Sequence, residues 1–284
     1  MDKIKNYLTI DVEEHFQVSA FEGVVKKVDW GNHESRVTKN TETILHLLET
    51  AGVTATFFVV GWVAEKHPQL LQTIDKAGHE IGCHSYLHRK VYDLTPKEFR
   101  EDTYKAKSIL EDITGKKVYG YRAPSYSITE KSLWALKIIE ELGFTYDSSI
   151  FPVYHDLYGI PGAPRFEYDI PGSTLKEFPI STKNLFGLNL PVSGGGYFRL
   201  FPYWFIKSQL KLINKNEGKP FMFYLHPWEV DPEQPRVKGV GLKSLFRHYN
   251  NLDKTSARFT SLLQDFRFES ISARIAREEN ISFA

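Results

Sequence analysis

Apolar and polar positions in the first half of the chain follow a repeating strand-then-helix rhythm. Residues 7–12 (YLTIDV) form a short β-prone run, and residues 41–49 carry apolar positions at helical spacing up to Ala51-Gly52. Residues 54–60 (TATFFVV) read as a buried strand. A helix over 63–76 stops at Gly78, and a short strand over 79–83 follows it. Thr95, with Pro96 at the first helical position and Glu98 three residues on, opens a capping-box helix that runs to about residue 113 and ends near Gly115. Residues 118–121 then read as a strand, 129–142 as a helix ending at Gly143, and 144–147 as a strand.

Strands alternating with helices of this length imply parallel strands joined by crossovers, in a barrel or an open doubly wound sheet. The rhythm changes after about residue 150. Pro and Gly cluster in FPVYHDLYGIPGAPRF and in LPVSGGGYF, which marks long ordered loops rather than a linker. A helix over 202–214 and a strand over 220–225 resume the pattern, and 259–266 closes it. The expectation is one domain over residues 1–284, without repeats or low-complexity tracts.

Composition narrows the chemistry. With 42% hydrophobic and 25% charged residues, the 284-residue chain can bury a sizeable core. Its formal net charge of +1 gives no global field to recruit nucleic acid or an anionic membrane, so a neutral substrate is the simplest match. A single cysteine, Cys83, excludes an intrachain disulfide and a cysteine zinc cluster, which leaves His, Asp and Glu to hold any metal. The opening MDKIKNYLTIDVEEHF has an apolar run too short for a signal peptide or an integral membrane segment. A cytoplasmic protein, able to work at the inner face of the membrane, is therefore expected.

Candidate chemistry gathers at strand ends. Side chains alternate faces along a strand, so Asp11 and Glu13 point the same way above the first strand's C-terminal end, where parallel α/β folds build active sites. Glu14 points away and reads as part of a solvated acidic turn, although the residues alone leave the acidic ligand open between Glu13 and Glu14. His84 and His88, in HSYLH, sit four apart and would share one face of a helical turn. Two imidazoles and a carboxylate make a three-ligand zinc site with one position left for water. Alone, a His-x-x-x-His fits surface histidines as well as it fits ligands. His15, His33, His46, His67 and His155 have no such partner and read as structural. Arg122 follows VYGY in RAPSYS, where a rigid Ala-Pro can aim it. Asp147 ends FTYD, and His226 ends FMFYL and is held by Pro227.

These strand ends, in this order, resemble the motifs of the polysaccharide deacetylase superfamily, carbohydrate esterase family four. The family's Thr-Phe-Asp-Asp is met here by TIDVE, its His-Ser/Thr-x-x-His by HSYLH, and its Arg-x-Pro by RAP. Its fourth-motif Asp is met by Asp147 and its Leu-His by LHP. The match runs from about residue 7 to 227. It implies a distorted, incomplete (β/α) barrel and hydrolysis of N-acetyl groups on an amino sugar. Asp-Val-Glu in place of adjacent aspartates is similar to a branch in which base and metal ligand are one residue apart. The tail, with LPVSGGGYFRLFPYW and LHPWE, resembles a subfamily found with exopolysaccharide assembly genes. That implies a bacterial glycan substrate, polymeric or lipid-linked, with residues 150–284 carrying the last barrel elements and an extension.

The resemblance also implies roles. Glu13, His84 and His88 would hold Zn²⁺ or another divalent ion, Asp11 would be the general base, and Arg122 would pair with Asp11. A backbone N–H at Ser125 or Tyr126 would serve the oxyanion, and His226, oriented by Asp147, would protonate the leaving amine. Tyr126, Tyr197, Phe198 and Trp228 are candidates to stack on a sugar, and Gly194, Gly195 and Gly196 are either a close approach to substrate or a hinge. The rival readings are a deformylase of a lipid-linked amino sugar, a metal-independent hydrolase of cyclic ureides, and an inactive glycan-binding protein. The presence of Asp11, Arg122 and His226, which bare sugar binding does not need, argues against the last.

Overall fold

The computed structural model describes residues 4–155 and 157–279. Its elements are β1 (Lys5–Val12), α1 (Val37–Ala51), β2 (Thr56–Val59), α2 (Gly61–Lys66), α3 (Pro68–Lys76), β3 (Glu80–Cys83), α4 (Pro96–Thr114), β4 (Gly120–Tyr121), α5 (Trp134–Glu141) and β5 (Tyr146–Asp147). They continue with β6 (Tyr168–Asp169), β7 (Lys176–Glu177), β8 (Thr182–Leu185), β9 (Leu188–Pro191), α6 (Gly195–Leu200), α7 (Tyr203–Leu212), β10 (Met222–Leu225), α8 (Leu242–Tyr249), α9 (Leu252–Asp265), β11 (Arg267–Glu269) and α10 (Ile271–Glu279).

The main sheet runs β10-β1-β2-β3-β4-β5-β7-β6, with β11 added along the start of β1. All its pairings are parallel except β6 with β7, so the C-terminal ends of β1 to β5 and β10 lie on one side. β10 and β6 end the path, and the sheet curls without closing: an incomplete barrel, as the family resemblance implies. β1 lies between β10 and β2 and is buried from its second residue onward. Its apolar Leu8, Ile10 and Val12 enter the main core, which leaves Asp11 on the opposite face.

The expected capping box forms: Thr95 Oγ1 accepts from Glu98 N–H, Glu98 accepts from Thr95 N–H at 2.9 Å, and Gly115 closes α4 in the left-handed conformation. Other expectations need correction. The helix over 63–76 is two helices, because Pro68 lacks an N–H and its ring excludes helical geometry at His67 (φ −130°, ψ 58°). The helix expected from residue 129 begins at Trp134, since Ser132 Oγ takes the Thr129 N–H and bonds back to the Ser127 carbonyl. Residues 259–266 are mostly the end of α9, and the closing strand is β11. The β8–β9 hairpin was not expected. Its turn is Phe186-Gly187, both with positive φ (51° and 85°), the geometry that matches strand twist.

Candidate active site

Asp11 lies at the end of β1, buried, with Oδ1 accepting from Arg122 Nη1 at 2.6 Å. Arg122 follows β4 and is fully buried. Its Nη1 also donates to Thr9 Oγ1 (2.7 Å), its Nη2 to Ser148 Oγ (2.7 Å) and its Nε to the Ser148 carbonyl (3.1 Å), and the guanidinium sits 4.2 Å over the Phe58 ring. A guanidinium fixed on every side holds the carboxylate it faces in one orientation. Asp11 Oδ2 remains toward the cleft, 3.4 Å from the Tyr126 hydroxyl and 4.0 Å from His226 Nε2.

Glu13, His84 and His88 converge beside it, one donor atom from each lying within 4.8 Å of the others. The imidazoles meet, but not across a helical turn. Residues 84–88 are loop, with Ser85 (φ 61°) and His88 (φ 49°) left-handed. Asp102 on α4 holds that loop by accepting from the Tyr86 and Leu87 N–H groups at 2.7 and 3.2 Å. Left-handed conformations in non-glycine residues cost energy and persist where the surroundings enforce them. His84 Nδ1 donates to the Arg122 carbonyl at 2.8 Å, which turns Nε2 toward the cleft. Burial pushes His84 down to about 4, against the pull of Asp11, so its ring is neutral as a metal ligand must be. Burial acts the other way on Glu13, yet the imidazoles of His88, His226 and His84 hold it far below the usual carboxylate range. Its Oε2 is 2.7 Å from His88 Nε2, while the buried His88 Nδ1 has no hydrogen-bond partner among the described residues. A neutral imidazole, an ionised carboxylate and a second imidazole, all buried and aimed at one point, fit a divalent ion with a position left for water.

Glu14 is not the solvated residue expected. It is fully buried and accepts from the Ser35 hydroxyl and from Arg36 N–H at 3.1 Å, so it anchors a loop while Glu13 faces the imidazoles.

His226 stands across the cleft after β10, with Nε2 3.7 Å from Glu13 Oε1. The expected pairing with Asp147 is absent. Asp147 accepts from Ser149 Oγ (2.6 Å) and Ser149 N–H (3.1 Å), and Ser149 Oγ in turn accepts from Ala123 N–H (2.8 Å). Asp147 therefore supports the loop that carries Arg122. Burial raises both Asp147 and its neighbour Glu177, and the charge of Asp147 raises Glu177 further. The carboxylate on His226 Nδ1 is Glu229, at 2.8 Å. Burial alone would lower His226, but that bond together with Glu13 and Asp11 raises it to about 9. Glu229 stood in the LHPWE run without a role, its spacing of three from His226 being the only available signal.

Of the two backbone donors considered for an oxyanion, Tyr126 N–H is taken by the Ala123 carbonyl at 3.1 Å, which leaves Ser125 N–H. Both residues have positive φ (53° and 52°), and Ser125 Oγ bonds Ser19 Oγ at 2.6 Å. Trp228 is not an open platform for a sugar. It donates to Glu13 Oε1 at 3.0 Å and stacks on His226 and His248 (centroids 5.1 and 4.2 Å). Phe198 is core, edge-on to Phe223, and Tyr197 stacks on Phe201. A Cβ on Gly194 or Gly195 would fall 2.1 Å from the Tyr224 carbonyl oxygen or 2.4 Å from its hydroxyl, so these two let α6 pack on β10, while Gly196 lines the cleft. The cleft holds about 230 Å³, and Val18, Ala20, Tyr158 and Tyr224 supply apolar walls that sequence patterns did not disclose.

Residues 24–146 match the family described as Polysaccharide deacetylase, and residues 148–276 match a Domain of unknown function (DUF3473). A peptidoglycan-N-acetylglucosamine deacetylase of Bacillus cereus is 28% identical over 148 residues, which cover 48% of this chain and 53% of that protein. A peptidoglycan deacetylase of Helicobacter pylori is 32% identical over 107 residues, 38% of this chain and 36% of that one. The chain thus spans between a third and about half of the length of these relatives. The crystal structure of a candidate polysaccharide deacetylase from Mycobacterium smegmatis superposes with a TM-score of 0.62 at 18% identity, over 99% of this chain and 94% of that one, and so shares the fold.

Proposed function

Because this chain belongs to the polysaccharide deacetylase superfamily, we propose that it is a metal-dependent amide hydrolase that removes acetyl groups from the nitrogen of an amino sugar in a bacterial glycan. The observation that carries this reading is the placement of the Arg122-held carboxylate of Asp11 beside the Glu13, His84 and His88 cluster, with His226 across the same cleft. A divalent ion, Zn²⁺ by the nature of the donors, would be held by Glu13, His84 and His88 and would supply an acidified water and polarisation of the amide carbonyl.

The protein's own residues do the rest. Asp11, kept oriented by Arg122, accepts the proton of the attacking water. The oxygen that gains negative charge meets Ser125 N–H. The amide nitrogen is a poor leaving group until protonated, and His226 Nε2, facing Asp11 across the cleft, delivers that proton. The apolar walls suit the methyl of an acetyl group. The relatives' names point to peptidoglycan-type sugars, and the tail of the chain resembles proteins of exopolysaccharide loci.

Residues 1–284 act in this reading as one catalytic domain, since the sheet runs unbroken from β1–β5 into β7 and β10 and the cleft draws on both matched segments. No helix among the described residues is long and apolar enough to cross a membrane. The test is to offer purified protein a panel of N-acetylated and N-formylated amino-sugar oligosaccharides and lipid-linked sugars, and to identify the acid released. Acetate with little formate supports the proposal, and formate alone favours the deformylase.

A further inference from the structure

Two buried charged residues remain without a use in this mechanism: the fully buried Glu229 and the nearly fully buried Arg199. We propose that Glu229, clamped by Arg199, is the positioning residue that orients the His226 imidazole for proton delivery, in the place where Asp147 was expected. The inference rests on the deacetylase reading and deepens it.

A short 3-10 turn, Pro227–Val230, follows β10, and its spacing of three brings Glu229 back beneath His226. Glu229 Oε1 accepts from both the backbone N–H of His226 (3.1 Å) and the ring Nδ1 (2.8 Å), so one oxygen fixes main chain and side chain together. A lone buried carboxylate would be costly, and Arg199 answers it: Nε donates to Glu229 Oε2 at 2.6 Å. Three of the four remaining guanidinium hydrogens go to the carbonyls of Arg247 (3.0 Å), His248 (2.7 Å) and Asn250 (3.0 Å), which ties the end of α8 to the same point. Arg199 reaches this place on α6, which Gly194 and Gly195 allow to lie against Tyr224 of β10. The SGGGYFR and LHPWE segments thus form one support.

The chemistry follows from the donor inventory. An ionised carboxylate only accepts hydrogen bonds, so Nδ1 carries a hydrogen in every protonation state of His226 and Nε2 is the exchanging atom. As the carbon–nitrogen bond breaks, its electron pair stays on nitrogen and takes the Nε2 proton, leaving a neutral ring with its hydrogen still on Nδ1. Asp11 meanwhile holds the proton taken from water. Without Glu229 the ring is free to rotate or to adopt the other tautomer, with Nε2 misdirected. Asp147 cannot substitute, since its carboxylate is committed to Ser149.

The test compares two substrates: an N-acetylated amino-sugar oligosaccharide, whose leaving amine needs a proton, and an aryl acetate, whose phenolate leaves without one. For Glu229→Gln we expect kcat on the amide to fall about 10- to 100-fold with KM within about twofold, while aryl acetate turnover and metal content stay within about twofold. Glu229→Asp keeps the buried charge should Gln unfold the protein, and is expected to show a smaller loss of the same selective kind. Asp147→Asn, acting through the Arg122 loop, is expected to lower both substrates alike. Equal losses on both substrates for the Glu229 variants, or amide turnover unchanged, would overturn the role. Wild-type protein inactive on both substrates refutes the deacetylase reading itself.

Discussion

Trp228 Nε1 donates to Glu13 Oε1 at 3.0 Å, across 215 positions of sequence, while Oε2 of the same carboxylate lies 2.7 Å from His88 Nε2. The indole fixes which oxygen is left to face the metal cluster. Ligand-orienting bonds of this kind are worth ~10- to 100-fold in metal affinity. Trp228→Phe, which keeps much of the ring stack on His248, is therefore expected to weaken metal binding by about tenfold in a chelator competition. Unchanged affinity would reduce Trp228 to a packing residue.

Gly194 should not tolerate a side chain. A Cβ there would meet the Tyr224 carbonyl oxygen at 2.1 Å, a backbone atom that cannot swing aside, and φ is +137°. Gly194→Ala is expected to destabilise the protein by ~1–3 kcal/mol, the range for overpacking a tight contact. It should also lower amide turnover by displacing Arg199. Thermal melting and amide kinetics check both.

His79 gives the fold an acid sensitivity remote from the cleft. Burial pushes it from 6.5 down to about 4, and its unprotonated Nδ1 accepts from Ala55 N–H at 3.2 Å. Between those values the unfolded chain binds the proton and the folded chain does not, so stability is lost as pH falls from about 6.5 toward 4. His79→Asn, which retains an acceptor without titrating, should flatten the slope of urea midpoint against pH in that window. An unaltered slope would place the sensitivity elsewhere.

Much of this was written in local sequence. The α4 capping box, the glycine stop after α1 and the short strands before HSYLH and RAPSYS depend on neighbours within a few residues, and these formed where the patterns put them. The convergence of Asp11, Glu13, His84 and His88 was legible because strand ends in a parallel sheet share one side. What was not legible depended on distant packing. Glu229 gains its meaning from Arg199, thirty positions earlier, and from a turn that no periodicity announces. Asp147 was given a role by resemblance, but the chain after β5 turns its carboxylate onto Ser149. The β8–β9 hairpin escaped because Leu185, Phe186 and Leu188 are exposed, so apolar character there does not mark a buried face.

In the proposed mechanism Asp11 and Glu13, two residues apart, divide base and metal ligand between them. Metal content and acetate release, measured on the same preparations of Asp11→Asn and Glu13→Ala, test it most directly. Asp11→Asn should keep its metal and lose amide turnover by ~100- to 10,000-fold, since an amide cannot take the water's proton. Glu13→Ala should lose metal and activity together, with only two protein ligands remaining. An Asp11→Asn protein that is empty of metal, beside a Glu13→Ala protein that is fully metallated and active, would contradict this division of roles.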